Sequence, residues 1–283
     1  MSGSQPSTPD TAASRWFELF ARSASGAVLA IATVAALIAG GFAFSALVAV
    51  CAMAALREWH RLINDRRLAR EMFITGLTMI AVVWFARTPE GAGLAVVAIF
   101  VGAATTALSA ALRRLPVLWP IPWHAFGAFY LGLTVLSLVL LREMADGVAI
   151  LGALFVAVWT ADTAALFFGR VIGGAKLAPL LSPNKTWAGF VGGTLAAGVA
   201  EAVYFAVLGW SMPPGFGFGI LLALSGHCGD LFESWVKRQF RAKNTGSLIP
   251  GHGGMLDRID SLLFAAPACV LLIFAFPFFG SPP

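Results

Sequence analysis

Residues 147–169 read GVAILGALFVAVWTADTAALFFG, and Asp162 is the only charged residue in this stretch. About 20 consecutive apolar residues in a helix cross the hydrocarbon core of a bilayer, which is about 30 Å thick. The stretch therefore predicts a membrane-spanning helix. A charged side chain inside such a helix costs about 3 kcal/mol on insertion scales, so Asp162 is a candidate functional residue.

Eight further apolar stretches occur in the 283-residue chain, of which 59% is hydrophobic and 12% charged. They lie at about 25–40, 41–56, 72–86, 91–110, 119–141, 186–209, 215–233 and 261–279. We expect an all-α fold, a polytopic membrane helix bundle of about nine transmembrane helices. Only Gly40 and Gly41 join the first two stretches, and we interpret them as a tight hairpin and not as a kink in one long helix.

The basic residues predict the orientation of the bundle. With nine helices and a cytoplasmic N-terminus, all of the 19 Lys and Arg residues except Arg87 and Arg142 lie on the cytoplasmic side, as the positive-inside rule describes. We interpret the arginines between Arg57 and Arg70 as a topology signal or as lipid head-group contacts. Anionic membrane lipids then account for the net charge of +5, and no nucleic-acid partner is expected.

The N-terminal residues and the cysteines add little chemistry. Residues 1–24 begin with small polar residues and lack the basic cluster and apolar core of a cleaved signal peptide, so we predict a disordered cytoplasmic tail. Cys51, Cys228 and Cys269 form no CxxC pair, and they lie in three different apolar stretches. We therefore expect free thiols and no disulfide framework.

Charged residues in the apolar stretches are concentrated in the second half of the chain. Five of them lie in or at the ends of predicted helices there: Asp162, Glu201, Asp230, Glu233 and Asp260. We therefore predict an N-terminal transmembrane scaffold at 25–145 and a C-terminal catalytic transmembrane domain at 146–283. Glu201 stands among small residues, where a structural polar contact between closely packed helices is the favoured interpretation.

Three polar segments of the second half approach the same predicted face. In the first, residues 159–189, a Gly/Pro-rich loop follows the helix of Asp162 and leads to Ser182 and Lys185. The second is residues 227–243, which read HCGDLFESWVKRQFRAK. At helical spacing Asp230 shares a face with Glu233 and Ser234, and Glu233 and Lys237 form an i, i+4 pair.

The third segment, residues 250–261, reads PGHGGMLDRIDS, and its glycine-rich turn runs into the last helix. Asp257 and Asp260 share a face there if the helix begins early enough. Clustered carboxylates repel each other unless a cation holds them, and oxygen ligands suit Mg²⁺, which completes its shell with water and phosphate oxygens. Basic residues surround these acids, and the glycines allow backbone N–H groups to approach an anion. The pattern indicates a polyphosphate site.

The usual nucleotide motif GxxxxGK[ST] is absent, and GFGFG at 215–219 is not the dinucleotide fingerprint. Another family accounts for these residues. The run SWVKR at 234–238, then Lys243, then IPGHGGMLDRIDS at 249–261 closely resembles the signature of phosphatidate cytidylyltransferases, integral membrane enzymes also called CDP-diacylglycerol synthases. ADTAALFFGR at 161–170, SPNKTWAG at 182–189 and GDLFES at 229–234 resemble companion motifs of that family, in the same order.

The resemblance implies that CTP and phosphatidate react to give CDP-diacylglycerol and pyrophosphate, in phospholipid biosynthesis. It implies that Mg²⁺ is bound by Asp230 and Asp257, with Asp260 close by, and that a second cation such as K⁺ is accommodated. Five basic residues would divide between the triphosphate and the lipid phosphate: Lys185, Lys237, Arg238, Lys243 and Arg258. Further substrate-binding candidates are Ser182, Ser234, His252, Asp162 and Asn244.

The family resemblance also implies a homodimer among membrane lipids, in the bacterial inner (cytoplasmic) membrane, with the active site facing the cytoplasm. The chain departs from the family pattern at two positions. Asn244 stands where the pattern has Asp, and Ala188 where an acidic residue is usual. Asn244 keeps an oxygen acceptor but loses the charge, and Ala188 removes any role of a carboxylate.

Two other functions compete with this interpretation. A CTP-dependent lipid-alcohol kinase would need the same nucleotide and a metal, but it would release CDP. A membrane transporter could place Asp162 and Glu201 along an ion path, although we detect no internal repeat of the kind that transporters show. The transporter also leaves the polar residues of 250–261 unexplained.

Overall fold

The computed structural model of the chain describes residues 12–63, 69–112, 120–242, 244–246 and 253–276. Nine α-helices lie within these residues, and each coincides with one of the nine apolar stretches. They are α1 (Ala12–Ala39), α2 (Gly41–Leu62), α3 (Ala69–Ala86), α4 (Ala92–Leu112), α5 (Pro120–Glu143), α6 (Gly147–Val171), α7 (Trp187–Val207), α8 (Met212–Gln239) and α9 (Leu256–Ala275). The predicted all-α membrane bundle is confirmed.

Seven helices of the described ranges, α2 and α4 to α9, are long and apolar enough to cross a membrane. Helix α1 has a shorter apolar part, Gly26–Ala39, and α3 is not among the seven candidate membrane spans. The start of α1 corrects one prediction, because residues 12–24 belong to this helix and not to a disordered tail. Residues 1–11 of the predicted tail lie outside the described residues.

The hairpin between the first two helices is confirmed. Gly40 and Gly41 have φ angles of 71° and 44°, which side chains with a Cβ rarely adopt. A Cβ on Gly40 would also collide with the guanidinium of Arg142, and Arg142 Nε donates a hydrogen bond to Leu37 O at 3.1 Å. Arg142 thus holds the turn between α1 and α2, which gives a structural role to an arginine outside the set predicted to be cytoplasmic.

The helices pack as two neighbouring groups. In one group α2, α3 and α4 pack around α5, and in the other α6, α7, α8 and α9 pack in sequence. Helix α5 contacts α9 and connects the groups. Tyr130 of α5 lies at the centre of this contact, with ring centroids 5.9 Å from Trp59 of α2, 5.5 Å from Phe232 of α8 and 5.8 Å from Phe264 of α9. Aromatic pairs of this kind each add about 1 kcal/mol beyond the burial of their surface.

A two-stranded antiparallel hairpin interrupts the otherwise helical chain between α6 and α7. Strand β1 (Lys176–Ala178) pairs with β2 (Ser182–Thr186), with Lys176 opposite Thr186. The side chain of Thr186 then caps α7 by accepting a hydrogen bond from Gly189 N at 3.1 Å. The hairpin therefore fixes the position of Lys185, which precedes the cap.

Helix α7 packs closely on both neighbours, as its small residues predict. A Cβ on Gly193 would lie 2.6 Å from Ala161 O of α6, and one on Gly219 of α8 would lie 2.7 Å from Cγ of Glu201. Glu201 is completely buried in this packing, beside the backbone of Ala157. Neither of its carboxyl oxygens forms a hydrogen bond, so the expected polar contact is incomplete.

Candidate active site

The three predicted polar segments meet at one end of the second helix group. Strand β2 supplies Lys185, the last turns of α8 supply Asp230 to Arg238, and the start of α9 supplies Asp257 and Asp260. Helix α9 begins at Leu256, so Asp257 and Asp260 both lie in its first turns. This early start is the condition under which the two aspartates were expected to share a face. Asp162 of α6 joins them through Ser261 Oγ, which donates to Asp162 Oδ1 at 3.4 Å.

Lys237 is the centre of the first ion-pair cluster. Its Nζ lies 2.9 Å from Asp257 Oδ1 and 3.4 Å from Glu233 Oε1, so the predicted i, i+4 pair of Glu233 and Lys237 is confirmed. The second oxygen, Asp257 Oδ2, accepts hydrogen bonds from Thr245 N at 3.2 Å and Gly254 N at 3.0 Å. Asp257 therefore joins the end of α8, the following loop and the start of α9.

A second ion pair links the hairpin to α8. Lys185 Nζ contacts Asp230 Oδ2, and the two side chains are 24% and 27% exposed. The exposed part of the Lys185 side chain does not include its Nζ, which is buried. The cluster thus contains two lysine–aspartate pairs, Lys185 with Asp230 and Lys237 with Asp257.

Carboxylates outnumber these lysines. Asp260 lies within electrostatic range of Asp162, Asp230 and Glu233, and its carboxyl is next to that of Glu233. Glu233 is fully buried, and Lys237 Nζ lies 3.4 Å from its Oε1. Such an excess of negative charge favours the binding of a cation.

The donor set fits Mg²⁺ in its chemistry, because every candidate donor is a carboxylate oxygen and this ion needs only one or two of them. Within the described residues, no three or more His, Cys, Asp or Glu side chains are arranged as a metal cluster. Asp230 and Asp257, the two predicted ligands, are each paired with a lysine. Substrate phosphates and water would have to complete the ligand shell.

The other predicted residues differ in accessibility. Arg238 is exposed, and its guanidinium donates to the backbone oxygens of Leu181 at 3.2 Å and Ala242 at 3.4 Å, so it supports the hairpin loop. Ser182 is half-buried in β2, Ser234 is buried in α8, and Arg258 and Asn244 are exposed. Lys243 and His252 lie outside the described residues.

Glu58 of α2 is a site residue that the sequence reasoning missed. It is only 3% exposed, and it accepts hydrogen bonds from Met255 N at 3.0 Å, Leu256 N at 2.8 Å and Thr245 Oγ1 at 3.3 Å. The available signal was a single acidic residue within the basic stretch that ends the second helix. The first helix group thus contributes more than a scaffold.

A cavity of about 440 Å³ lies between the C-terminal ends of α2 and α8. Its lining is mainly polar and contains two arginines, two amides and one hydroxyl, together with three apolar residues: Arg61, Leu62, Gln239, Phe240, Arg241, Ala242, Asn244 and Thr245. Arg241 has a φ of 54°, the one positive φ among the described non-glycine residues. Thr245 connects this cavity to Asp257 through its backbone N–H.

Comparison with known proteins agrees with the geometry. A relative from Brucella suis biovar 1 (strain 1330), named phosphatidate cytidylyltransferase, is 50% identical over 163 residues, which cover 55% of this chain and 59% of that relative. One of the same name from Staphylococcus aureus (strain COL) is 41% identical over 121 residues, 42% of this chain and 46% of that relative. The chain thus spans less than two thirds of the length of either relative. The pattern of the cytidylyltransferase family matches residues 20–276, and the chain belongs to this family.

Proposed function

We propose that the protein transfers the cytidylyl group of CTP to phosphatidate and releases pyrophosphate and CDP-diacylglycerol. The observation that carries the proposal is the pair of lysine–aspartate contacts, Lys185 with Asp230 and Lys237 with Asp257, at the end of a membrane bundle. Carboxylates and lysines together suit a reaction in which two phosphorylated substrates meet. The relatives named phosphatidate cytidylyltransferase support the same substrates.

The proposed reaction needs alignment and charge neutralisation more than an activated nucleophile. A phosphate monoester has its second pKa near 6, so phosphatidate is largely dianionic at neutral pH. One of its oxygens forms a bond to the α-phosphorus of CTP, while the bond from that phosphorus to the bridging oxygen breaks and pyrophosphate leaves. The site must therefore hold two anions in line against their mutual repulsion.

We propose that Asp230 and Asp257 hold Mg²⁺, with Asp260 nearby. When bound, the ion would neutralise charge on the phosphate oxygens. The lysines have a complementary task, because Lys185 and Lys237 can exchange their aspartate partners for phosphate oxygens when the substrates enter. The acidic excess around Asp260 would accommodate a second cation such as K⁺.

The cavity beside Asp257 is the proposed position of the nucleotide. Arg61 and Arg241 offer positive charge to a polyphosphate, and Gln239 and Asn244 offer amide groups that can hydrogen-bond a cytosine edge. Its position at the ends of α2 and α8 leaves it open to the aqueous side, from which CTP must arrive. Lys243 and His252 remain proposed substrate contacts by the family resemblance.

The lipid substrate fits the architecture of the proposed site. Phosphatidate remains in the bilayer, so a site at the ends of membrane-spanning helices can receive it from the side while CTP enters from water. We propose that this end faces the cytoplasm, that the membrane is a bacterial inner membrane, and that the protein acts as a homodimer among membrane lipids.

Incubation of the purified protein with α-³²P-labelled CTP, phosphatidate and Mg²⁺ tests the proposal, with extraction of the lipids into organic solvent. We expect label in the lipid phase, and we expect its loss when Mg²⁺ is chelated. An unlabelled lipid phase with accumulation of CDP would identify a lipid-alcohol kinase instead. Untouched CTP, in a sample with an intact folded bundle, would contradict an enzymatic function.

A further inference from the structure

We infer that Glu58, a residue of the first helix group, is a positioning residue for the active site: it holds the junction between the loop after α8 and helix α9. The inference rests on the proposed function, because the junction is assigned a role only through Asp257. Among the described residues, the hydrogen-bond partners of Glu58 are Thr245 Oγ1, Met255 N and Leu256 N, and none of these is a proposed reacting group. Its effect on turnover would pass through the backbone of residues 245 and 254–256.

The contacts of Glu58 complete the start of α9. The first N–H groups of a helix have no partner within the helix, and the N-cap residue of α9, Met255, forms no side-chain capping bond. Glu58 accepts from Met255 N and Leu256 N, one with each carboxylate oxygen. A negative charge at this end also interacts favourably with the helix dipole. The cap of the catalytic helix is thus supplied by a residue 198 positions earlier in the chain.

Two glycines leave room for this carboxylate. A Cβ added to Gly246 would lie 2.7 Å from Glu58 Oε1, and a Cβ on Gly254 would collide with Glu58 Oε2 and with Thr245 Oγ1. Neither Gly246 nor Gly254 has a positive φ, so the backbone conformation does not require glycine at either position. Space for Glu58 is therefore the shared physical reason for the absence of a side chain at both positions.

Glu58 and Asp257 hold the same junction from two sides. Thr245 donates its hydroxyl to Glu58 and its backbone N–H to Asp257. Gly254 N donates to Asp257, while the next two backbone N–H groups donate to Glu58. Loss of Glu58 leaves two backbone donors and one hydroxyl without their buried partner, which is unfavourable. The junction would shift, and a displacement of about 1 Å can reduce turnover about 100-fold.

The first experiment compares Glu58→Gln with Glu71→Gln in the lipid-labelling assay, with kcat and KM measured for both substrates. Glu71 is the matched control, because it is a buried carboxylate of the same helix group that accepts a hydrogen bond from Ser109 Oγ at 2.8 Å. We expect Glu58→Gln to lower kcat by about 30–100-fold and to leave both KM values within about 3-fold. Glu71→Gln should leave kcat within about 3-fold, although both variants unfold at a lower temperature.

A second experiment uses the steric fit and does not depend on the folding of one variant. Gly246→Ala should lower kcat by about 30-fold or more in the wild-type background, because the three atoms nearest to its Cβ all belong to Glu58. In a Glu58→Ala background the same change should cost less than about 3-fold, since the colliding carboxylate is gone. Thr245→Val, which removes only the hydroxyl donor, should lower kcat by about 3–10-fold.

Three results would overturn the inference. The first is wild-type kcat in folded Glu58→Gln, the second is equal loss in the two glutamate variants, and the third is an equal cost of Gly246→Ala in both backgrounds. These results are distinct from failure of the proposed function. In that case the wild-type protein itself would transfer no label to the lipid.

Discussion

The two helix groups each bury a cluster of polar side chains, and the clusters differ in the charges that they bring together. In the first group His60 Nδ1 lies 3.0 Å from His124 Nδ1, His60 Nε2 lies 3.2 Å from Thr75 Oγ1, and Ser109 donates to Glu71. In the second group Glu233 is buried with Lys237 Nζ 3.4 Å from its Oε1, and its other charged neighbours are the acids Asp257 and Asp260. Hydrogen-bonded pairs of the first kind stabilise a fold, whereas an excess of acids favours the binding of a cation. The charge of the partners distinguishes the first helix group from the proposed active site.

The strongest test of this comparison is Asp257→Ala. The substitution removes the partner of Lys237 and of two backbone N–H groups, and it removes a proposed metal ligand, so we expect turnover to fall by at least about 10³-fold. The protein should still fold, as size-exclusion profile and helical circular dichroism would report. Asp146→Ala changes an aspartate at the opposite end of α6, whose side chain makes no capping bond, and it should keep full activity. Wild-type turnover in Asp257→Ala would contradict the site.

Lys185→Met should have the next largest effect. The lysine is replaced by an uncharged side chain of similar length, so Asp230 loses its partner and the substrates lose a cation. We expect kcat to fall about 100-fold. Lys176→Met, on the other strand of the same exposed hairpin, is the control and should remain within about 2-fold of wild type. Equal losses in the two variants would mean that the hairpin needs positive charge in general and no specific lysine.

Arg61→Gln extends the comparison to the first helix group. Arg61 lines the cavity, so its loss should raise KM for CTP about 10-fold and leave kcat unchanged, because one charge-assisted contact to an anion is removed. Arg57→Gln alters an exposed arginine one turn earlier in α2 that is not part of the lining. An unchanged KM in Arg61→Gln, or equal changes in both variants, would exclude the cavity as the nucleotide site.

Glu201→Met should have no effect on turnover and a measurable effect on stability. Glu201 belongs to the second helix group but lies in the α7–α8 packing, where its two oxygens have no hydrogen bond. An apolar side chain of similar length removes this unsatisfied group, and we expect stabilisation by about 1–3 kcal/mol in thermal unfolding of the detergent-solubilised protein. A large loss of activity in Glu201→Met would contradict this prediction and would assign Glu201 a role in turnover.

The sequence predicted the elements of this protein better than their contacts. Apolar length is a local property, so all nine helices and the Gly40–Gly41 hairpin were predictable, and the spacing in α8 predicted the contact of Glu233 with Lys237. The start of α1 was not, because residues 12–24, AASRWFELFARSA, intersperse Ser, Arg and Glu among apolar residues and so interrupt the apolar stretch, although the helix includes them. The hairpin β1–β2 was also missed, since three and five residues give no periodic signal.

The contacts of Glu58 could not be predicted for a different reason. They join residues that are 187 to 198 positions apart, and no local pattern relates α2 to α9. The position of this carboxylate depends on the tertiary packing of α2 and α9, including the aromatic contacts of Tyr130 that bring the two groups together. The motif around Asp257 indicated the chemistry of the site but not the neighbour that supports it.

The cap on α9 has a consequence for chimeras between related proteins. A residue of one half of the chain fills a space that two glycines of the other half leave empty, so we expect these three positions to vary together. A chimera between proteins of this architecture should lose activity when the acidic residue and the two glycines are separated. A graft of residues 146–283 onto a foreign first half therefore needs a matching carboxylate in α2, in addition to the aromatic contacts of Tyr130.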